Sequence, residues 1–129
     1  MTAAAFAIPG DIELPTGGYM YDRRVLALLA RFGVEAQHLP LPAAFPNPSP
    51  ADLVETERLL AGVAAGTALL IDGLAYGAIP ADLIARLWAP IIALVHHPLC
   101  LEAGLSRQRQ EELRALETAA LALARRVIT

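Results

Sequence analysis

The chain has 129 residues, of which 56% are hydrophobic and 18% charged, and its formal net charge is −3. This length suits a single domain with ample apolar material for a core, and the composition excludes intrinsic disorder. The small negative charge gives no electrostatic reason to expect nucleic acid or an anionic membrane surface as the main partner. The single cysteine, Cys100, excludes an internal disulfide, so we expect a cytoplasmic protein with a buried, inert thiol.

The first part of the chain alternates apolar runs with a helical pattern. The short apolar run Ala4–Pro9 lacks a basic segment before it, so it predicts a first strand and not a signal peptide. Apolar residues at helical spacing predict a first helix over Val25–Phe32, and Gly33 stands where a helix C-terminal glycine belongs. Val34–Leu39 alternates apolar and polar residues as a half-buried strand does, and the prolines of 40–50 then require a loop.

The second part of the chain predicts three more strands separated by helices. The strands are Thr67–Asp72, Ile91–Val95 and a last one that begins at Val127, and the helices start at Ser49, near Pro80 and at Ser106. Strands that alternate with helices pair in parallel, with right-handed connections. We therefore predict an α/β fold, a Rossmann-like parallel sheet with helices on both faces in three α/β/α layers. No apolar run is long enough to cross a bilayer.

Ligands of such sheets bind beyond the carboxyl ends of the strands. Four segments are expected to converge there: the Gly17-Gly18 turn, the proline-rich loop, the segment from Asp72, and the His96-His97 pair.

The Gly17-Gly18 turn is the most informative of these segments. Two adjacent glycines remove two side chains before the first helix, and the unpaired N–H groups of a helix start attract anions. The turn has neither the dinucleotide fingerprint nor the phosphate-binding loop of an NTPase. A tight turn that merely needs glycine is the alternative. Arg23 and Arg24 could contact a phosphate there, although at least one of them is expected to be solvated.

The remaining candidates have both a chemical and a structural interpretation. His96 and His97 follow each other on a strand and should point to opposite faces, so we predict no metal site there. One of them could donate to a hydroxyl or act as a base, or could simply cap or pack. Asp72 could bind a sugar-type hydroxyl or bond its own turn, and Glu102 could contact a histidine, a ligand or only solvent. His38 is interpreted as a surface residue.

Several segments together resemble the N-terminal half of a group 1 (family 4) glycosyltransferase. The segments that resemble this family are Ala7–Gly10, Pro15–Tyr19, Leu29–Glu35, Leu94–Leu99 and Leu101–Leu105. The glycine pair and a strand that ends in Val-His occur in the same order as in that family. The resemblance covers essentially the whole chain.

The resemblance implies a GT-B enzyme, whose active site lies between two Rossmann-like domains. Residues 1–129 would be the acceptor-side domain, and the partners of the full-length protein would be a nucleotide-sugar donor and a sugar or lipid acceptor. By this analogy Gly17 and Gly18 lie against the donor diphosphate, and His96 is the catalytic histidine. The implied reaction is retaining sugar transfer without a metal ion or another cofactor.

The same analogy assigns acceptor or substrate binding to four side chains at the carboxyl edge of the sheet. They are Tyr19, Asp72, His97 and Glu102.

The chain departs from the family pattern because the C-terminal, nucleotide-sugar-binding domain is absent. We therefore expect the 129 residues alone to be inactive, with exposed surface that is compatible with a homodimer. Two other functions stay open. One is a self-contained, flavodoxin-like module that binds a small molecule or nucleotide, and the other is a non-catalytic interaction domain.

Overall fold

A computed structural model describes residues 2–129. The strands are β1 (Thr2–Pro9), β2 (Val34–Leu41), β3 (Thr67–Asp72), β4 (Ile91–Leu94) and β5 (Arg126–Ile128). The helices are α1 (Gly17–Arg31), α2 (Pro50–Ala61), α3 (Gly73–Tyr76), α4 (Ala81–Ala85) and α5 (Arg107–Ala122), and a 3-10 turn spans Leu99–Leu101. None of the helices within residues 2–129 is both long and apolar enough to cross a membrane.

The five strands form one parallel sheet in the order β2-β1-β3-β4-β5. The predicted Rossmann-like α/β fold is therefore confirmed. The chain leaves β1 toward β2 on one side and later returns to β3 on the other side. The strand order thus reverses between β1 and β3, and such a switch point opens a crevice at the carboxyl ends of these strands.

The two faces of the sheet bury different cores, because successive side chains of a strand point in opposite directions. One face carries Phe6, Ile8, Leu70 and Leu94, against which α1 packs Val25, Leu26 and Leu29. The other face carries Ala5, Ala7, Leu69, Ile71 and Ala93, which pack with residues of the remaining helices such as Leu60, Tyr76, Leu83 and Leu113. The three-layer arrangement follows from this alternation.

The first helix begins at Gly17, so its predicted start at Val25 is wrong by two turns. The Oγ1 of Thr16 accepts a hydrogen bond from the N–H of Tyr19 at 3.1 Å, which caps the helix start. The apolar periodicity begins only where the helix reaches the sheet, and the glycines before it disfavour a helix by propensity. Gly17 and Gly18 are thus the first two helical residues and not part of the preceding loop.

The other predicted helix ends agree with the structure. Ser49 and Ser106 cap α2 and α5, each accepting from a backbone N–H three residues further on at 3.1 Å. Gly33 follows the end of α1 with φ +80°, a conformation that side chains other than glycine rarely adopt. Cys100 is buried, as predicted.

Candidate functional site

A cleft of about 470 Å³ opens at the carboxyl ends of β1, β3 and β4, next to the switch point. The loop before α1, the end of β3 and the segment after β4 form its walls. Its lining residues are Leu14, Thr16, Gly18, Tyr19, Asp72, Leu74, His96, His97, Leu99 and Glu102. Every residue that we singled out from the sequence as a site residue lines this cleft except Gly17, which precedes Gly18 at the helix start.

The proline-rich loop does not line the cleft, so the predicted convergence of four segments is wrong in this one respect. Its residues Pro46 and Asn47 instead bind Arg109 of α5. The Nη2 of Arg109 donates to the carbonyl oxygen of Pro46 at 3.3 Å and to the Oδ1 of Asn47 at 3.0 Å. These contacts hold the loop against α5, on the opposite face of the sheet from α1.

The start of α1 meets the end of β4 across the cleft. A Cβ placed on Gly18 would lie 3.8 Å from the Cδ2 of His96, whereas a Cβ on Gly17 would meet nothing within 4 Å. Within residues 2–129 the N–H groups of Gly17 and Gly18 have no hydrogen-bond partner. The positive end of the helix dipole is therefore open on the side where His96 stands.

The imidazole of His96 faces two buried carboxyl groups. Its Nε2 lies 2.9 Å from the Oδ1 of Asp22 and 2.9 Å from the Oδ2 of Asp72. Asp22 is 0% exposed and Asp72 is 2% exposed, while the side chain of His96 is 26% exposed. We call these three residues the Asp–Asp–His cluster.

The turn interpretation of Asp72 is confirmed, and the same side chain also contacts His96, which the sequence did not predict. Its Oδ1 accepts from the N–H of Leu74 at 2.8 Å and so caps α3 as a turn aspartate does. Its Oδ2 faces His96 at the same time. One carboxylate thus fixes the turn after β3 and the histidine after β4.

Asp22 is the site residue that the sequence analysis missed. It precedes Val25, Leu26 and Leu29 by three, four and seven residues, so it lies on the sheet-facing side of α1. A carboxylate within an apolar helical stripe signals a buried polar contact. That signal was lost because the helix was predicted to begin only at Val25.

The electrostatics of the cluster follow from its burial. The pKa of Asp22 is raised to about 9 by burial, and also by its hydrogen bond to Asp72 and the charge of that residue. The chain contains no lysine, and among residues 2–129 no arginine lies within 4.0 Å of either carboxyl group. Two carboxyl groups this close cannot both be ionised unless a cation or a proton compensates their charge.

Among residues 2–129, the Asp–Asp–His cluster is also the only group of three or more histidine, cysteine, aspartate or glutamate side chains that lie close enough together to bind one cation. Both distances from Nε2 are those of ordinary hydrogen bonds. A proton can offset the charge of the two carboxyl groups without any ion.

His97 points away from this cluster. Its Nε2 lies 3.8 Å from the Oε1 of Glu102, and about half of each side chain is exposed. The two histidines therefore face different partners, as predicted, but strand alternation is not the reason, because β4 ends at Leu94 and both residues lie in the bend after it. His97 and Glu102 form the solvent-facing wall of the cleft.

Tyr19 and Arg23 fix the loop between β1 and α1. The hydroxyl of Tyr19 donates to the carbonyl oxygen of Pro9 at 2.5 Å. Burial, and then the negative charges of Asp72, Asp22 and Asp11, raise the pKa of Tyr19. The Nη1 of Arg23 donates to the carbonyl oxygens of Ile12 and Leu14.

His38 departs from its predicted surface role, because its Nε2 is buried and has no hydrogen-bond partner in residues 2–129. It stands beside Phe6 in the β1–β2 register, on the side of the sheet that α1 covers.

No protein-family model matches the chain, and no curated protein is significantly similar to it in sequence.

Proposed function

We propose that this chain is the acceptor-side, N-terminal domain of a retaining glycosyltransferase of the GT-B type. The observation that supports this most is the approach of Gly18 to His96, which brings the open start of α1 and the strand-end histidine to one cleft. The resemblance in sequence assigns the same two elements to the donor diphosphate and the reacting sugar. A donor site of this kind requires the helix start and the histidine to lie in one cleft.

The residues of this chain would have distinct roles in the transfer. The bond from the sugar to the diphosphate breaks with its electron pair on the diphosphate oxygen, and the acceptor oxygen forms the new bond to the sugar while its proton passes to the departing diphosphate. The N–H groups of Gly17 and Gly18 would stabilise the negative charge that develops on the departing diphosphate. Gly18 also leaves room for that group, because any larger side chain would extend toward His96.

His96 would contact the reacting sugar, and the cleft wall would bind the acceptor. Tyr19, His97 and Glu102 line the cleft with one phenol, one imidazole and one carboxylate. Polar groups of these kinds form hydrogen bonds with sugar hydroxyls. We propose that a second domain supplies the remaining contacts to the nucleotide and that the protein acts in the cytoplasm without a resident metal.

The strand order supports a second candidate function, a self-contained flavodoxin-like binding module. The order β2-β1-β3-β4-β5 is that of flavodoxin-like folds, which bind their ligand at the switch point between β1 and β3. The cleft lies at this position. In that case the 129 residues alone would bind a small molecule or nucleotide tightly.

Affinity and turnover of the chain separate the two candidates. Isothermal titration with nucleotide-sugars of uridine, adenosine and guanosine should give dissociation constants near the millimolar range, about −4 kcal/mol, because the proposed second domain would supply the remaining contacts. We also expect no sugar transfer to a panel of sugar and lipid acceptors. Micromolar or tighter binding without transfer would favour the self-contained module, and measurable transfer would overturn the requirement for a second domain.

A further inference from the structure

The Asp–Asp–His cluster has a role that the two proposed functions do not require. We propose that Asp22 and Asp72 share one proton and together accept the Nε2–H of His96, so that Asp22 positions the ring of His96 and leaves the lone pair of its Nδ1 for a ligand. The ligand contact of Nδ1 rests on the proposed transferase function, whereas the arrangement of protons does not.

Two carboxyl oxygens stand 2.9 Å from the same nitrogen, Nε2 of His96. If Nε2 held only its lone pair, a single O–H could donate to it, and the other oxygen would face it lone pair to lone pair. A hydrogen on Nε2 satisfies both contacts, because a nitrogen-bound hydrogen can be shared between two acceptors.

Asp22 and Asp72 are 0% and 2% exposed, and no arginine of residues 2–129 lies within 4.0 Å of them. Two buried carboxylates with one neutral imidazole would leave two uncompensated charges in the interior, which is costly. One shared proton removes half of that charge, as in paired acids that cannot both ionise.

Neighbouring residues fix the orientation of the His96 ring. The ring of Tyr21 meets that of His96 edge-on, with centroids 5.2 Å apart and an interplanar angle of 80°. Gly18 stands beside Cδ2. A half-turn of the imidazole would bring Cε1 against the two carboxyl groups and break both hydrogen bonds.

The other titratable groups around the cleft are Tyr19 on α1, Asp11 in the preceding loop, and His97 and Glu102 after β4.

A neutral imidazole with hydrogen on Nε2 leaves a lone pair on Nδ1. Nδ1 has no partner within residues 2–129, and His96 lines the cleft. The atom can therefore accept a hydrogen bond from a hydroxyl of a bound sugar. Asp22, which is fully buried behind the ring, would act only through His96.

Nuclear magnetic resonance of the 129-residue chain without any ligand tests the arrangement. At about pH 8, where a free imidazole is neutral, two-bond ¹H–¹⁵N spectra should place the His96 hydrogen on Nε2. The side-chain ¹³C shift of Asp22 or Asp72 should indicate one protonated carboxyl group at about pH 7, where free carboxyl groups are ionised. A hydrogen on Nδ1 alone, or two ionised carboxylates with ordinary titration, would overturn the proposal.

Two substitutions distinguish positioning from mere packing. Asp22→Leu removes the acceptor and should speed exchange of the Nε2 hydrogen with solvent at least about tenfold, whereas Asp22→Asn keeps an acceptor oxygen and should restore slow exchange. Asp82→Asn, at a side chain of α4 that is 80% exposed, is the control and should leave the exchange of the His96 Nε2 hydrogen unchanged. Equal rates of Nε2 hydrogen exchange in the wild type and in Asp22→Leu would overturn the proposal. Broadening of the cluster signals by micromolar Mn²⁺ would overturn it as well, because a cation would then replace the proton.

If Asp22→Leu does not fold, the wild-type spectra still decide the question. Failure of these experiments leaves the transferase proposal intact, since no donor or acceptor is present in them. Absence of ligand binding at the cleft would in turn leave the proton arrangement intact.

Discussion

Gly18 and His96 lie across the cleft from each other, and a Cβ on Gly18 would stand 3.8 Å from the Cδ2 of His96. They come from the first helix and from the segment after the fourth strand, 78 residues apart by number (96 minus 18). The parallel sheet brings them together because both follow the carboxyl ends of their strands. This pair determines how a ligand can enter between the helix start and the histidine.

Gly18→Leu should weaken diphosphate binding while the fold persists. A leucine would extend from the helix start toward His96 and fill the space that an anion needs. We expect at least a tenfold loss of affinity for UDP, ADP or GDP, which corresponds to about 1.4 kcal/mol. Val54→Leu, at an exposed position of α2 outside the cleft, is the control. Equal affinities of Gly18→Leu and this control would contradict a role for Gly18 at the ligand.

Asp22 should make the protein less stable as the pH rises. Its pKa is about 9 in the folded chain against an ordinary 3.8, so the folded state binds more protons between these values. The free energy of unfolding should fall across this window, with a slope of at most about 1.4 kcal/mol per pH unit from this group. The contribution is fully present below about pH 3.8 and is lost as the pH rises through about 9.

Urea unfolding of wild type and Asp22→Asn at several pH values measures this effect. The difference between the two free energies should shift steadily against the wild type from acidic to alkaline pH, because asparagine does not titrate. Asp82→Asn serves as the control, since that side chain is 80% exposed. A difference that is constant, or that shifts in favour of the wild type as the pH rises, would mean that Asp22 is ionised in the folded state.

Gly77→Ala should destabilise the contact between α5 and the segment after β4. A Cβ at Gly77 would lie 2.5 Å from the Oε2 of Glu117 and 3.0 Å from the Cδ1 of Leu99. Glu117 is buried on α5, so its carboxyl group has little room to move away from the added methyl group. We expect a loss of about 1–3 kcal/mol in the free energy of unfolding, which is typical of overpacking.

A double-variant cycle identifies the cause of that loss. In a Glu117→Ala background the added methyl group has space, so most of the penalty from Gly77→Ala should disappear. Gly17→Ala, with open space around it, should leave stability nearly unchanged. A wild-type melting temperature for Gly77→Ala would show that the two segments separate without cost.

Tyr76→Phe should cost about 0.5–1.5 kcal/mol, because it removes one buried hydrogen bond. Tyr76 is 0% exposed, and its hydroxyl donates to the carbonyl oxygen of Ala120 on α5. Burial also raises the pKa of the phenol to about 12. Tyr21→Phe, at a half-exposed ring, is the control for chemical unfolding. Equal stabilities of both variants would mean that the buried bond contributes nothing net.

The strands and most helix ends could be predicted because their signals are local. Apolar runs such as Thr67–Asp72 indicate buried strands, and Ser49 and Ser106 satisfy the first N–H groups of their helices wherever they occur. The convergence of Gly18, Asp72 and His96 also followed from the sequence. It requires only that each residue lies near the carboxyl end of a strand in one parallel sheet.

The start of α1 and the role of Asp22 could not be obtained in the same way. The first turn of α1 contains Gly17 and Gly18, whose propensity disfavours a helix, and its start depends on capping by Thr16. The partners of Asp22 come from β3 and from the segment after β4, 50 and 74 residues further along the chain. The location of the proline-rich loop likewise depends on Arg109 of α5, a contact between distant residues.

Mapping of nucleoside diphosphate binding tests the proposed function most directly. Amide chemical shifts of the ¹⁵N-labelled chain are followed during titration with UDP, ADP and GDP to about 10 mM, since the proposed transferase would bind the nucleotide largely through a second domain and this domain alone near the millimolar range. We predict weak, saturable shifts centred on the amides of Gly17 and Gly18 and on His96 for at least one of the three. Shifts confined to other parts of the chain, or none at these residues with any of the three, would contradict a diphosphate site at the start of α1.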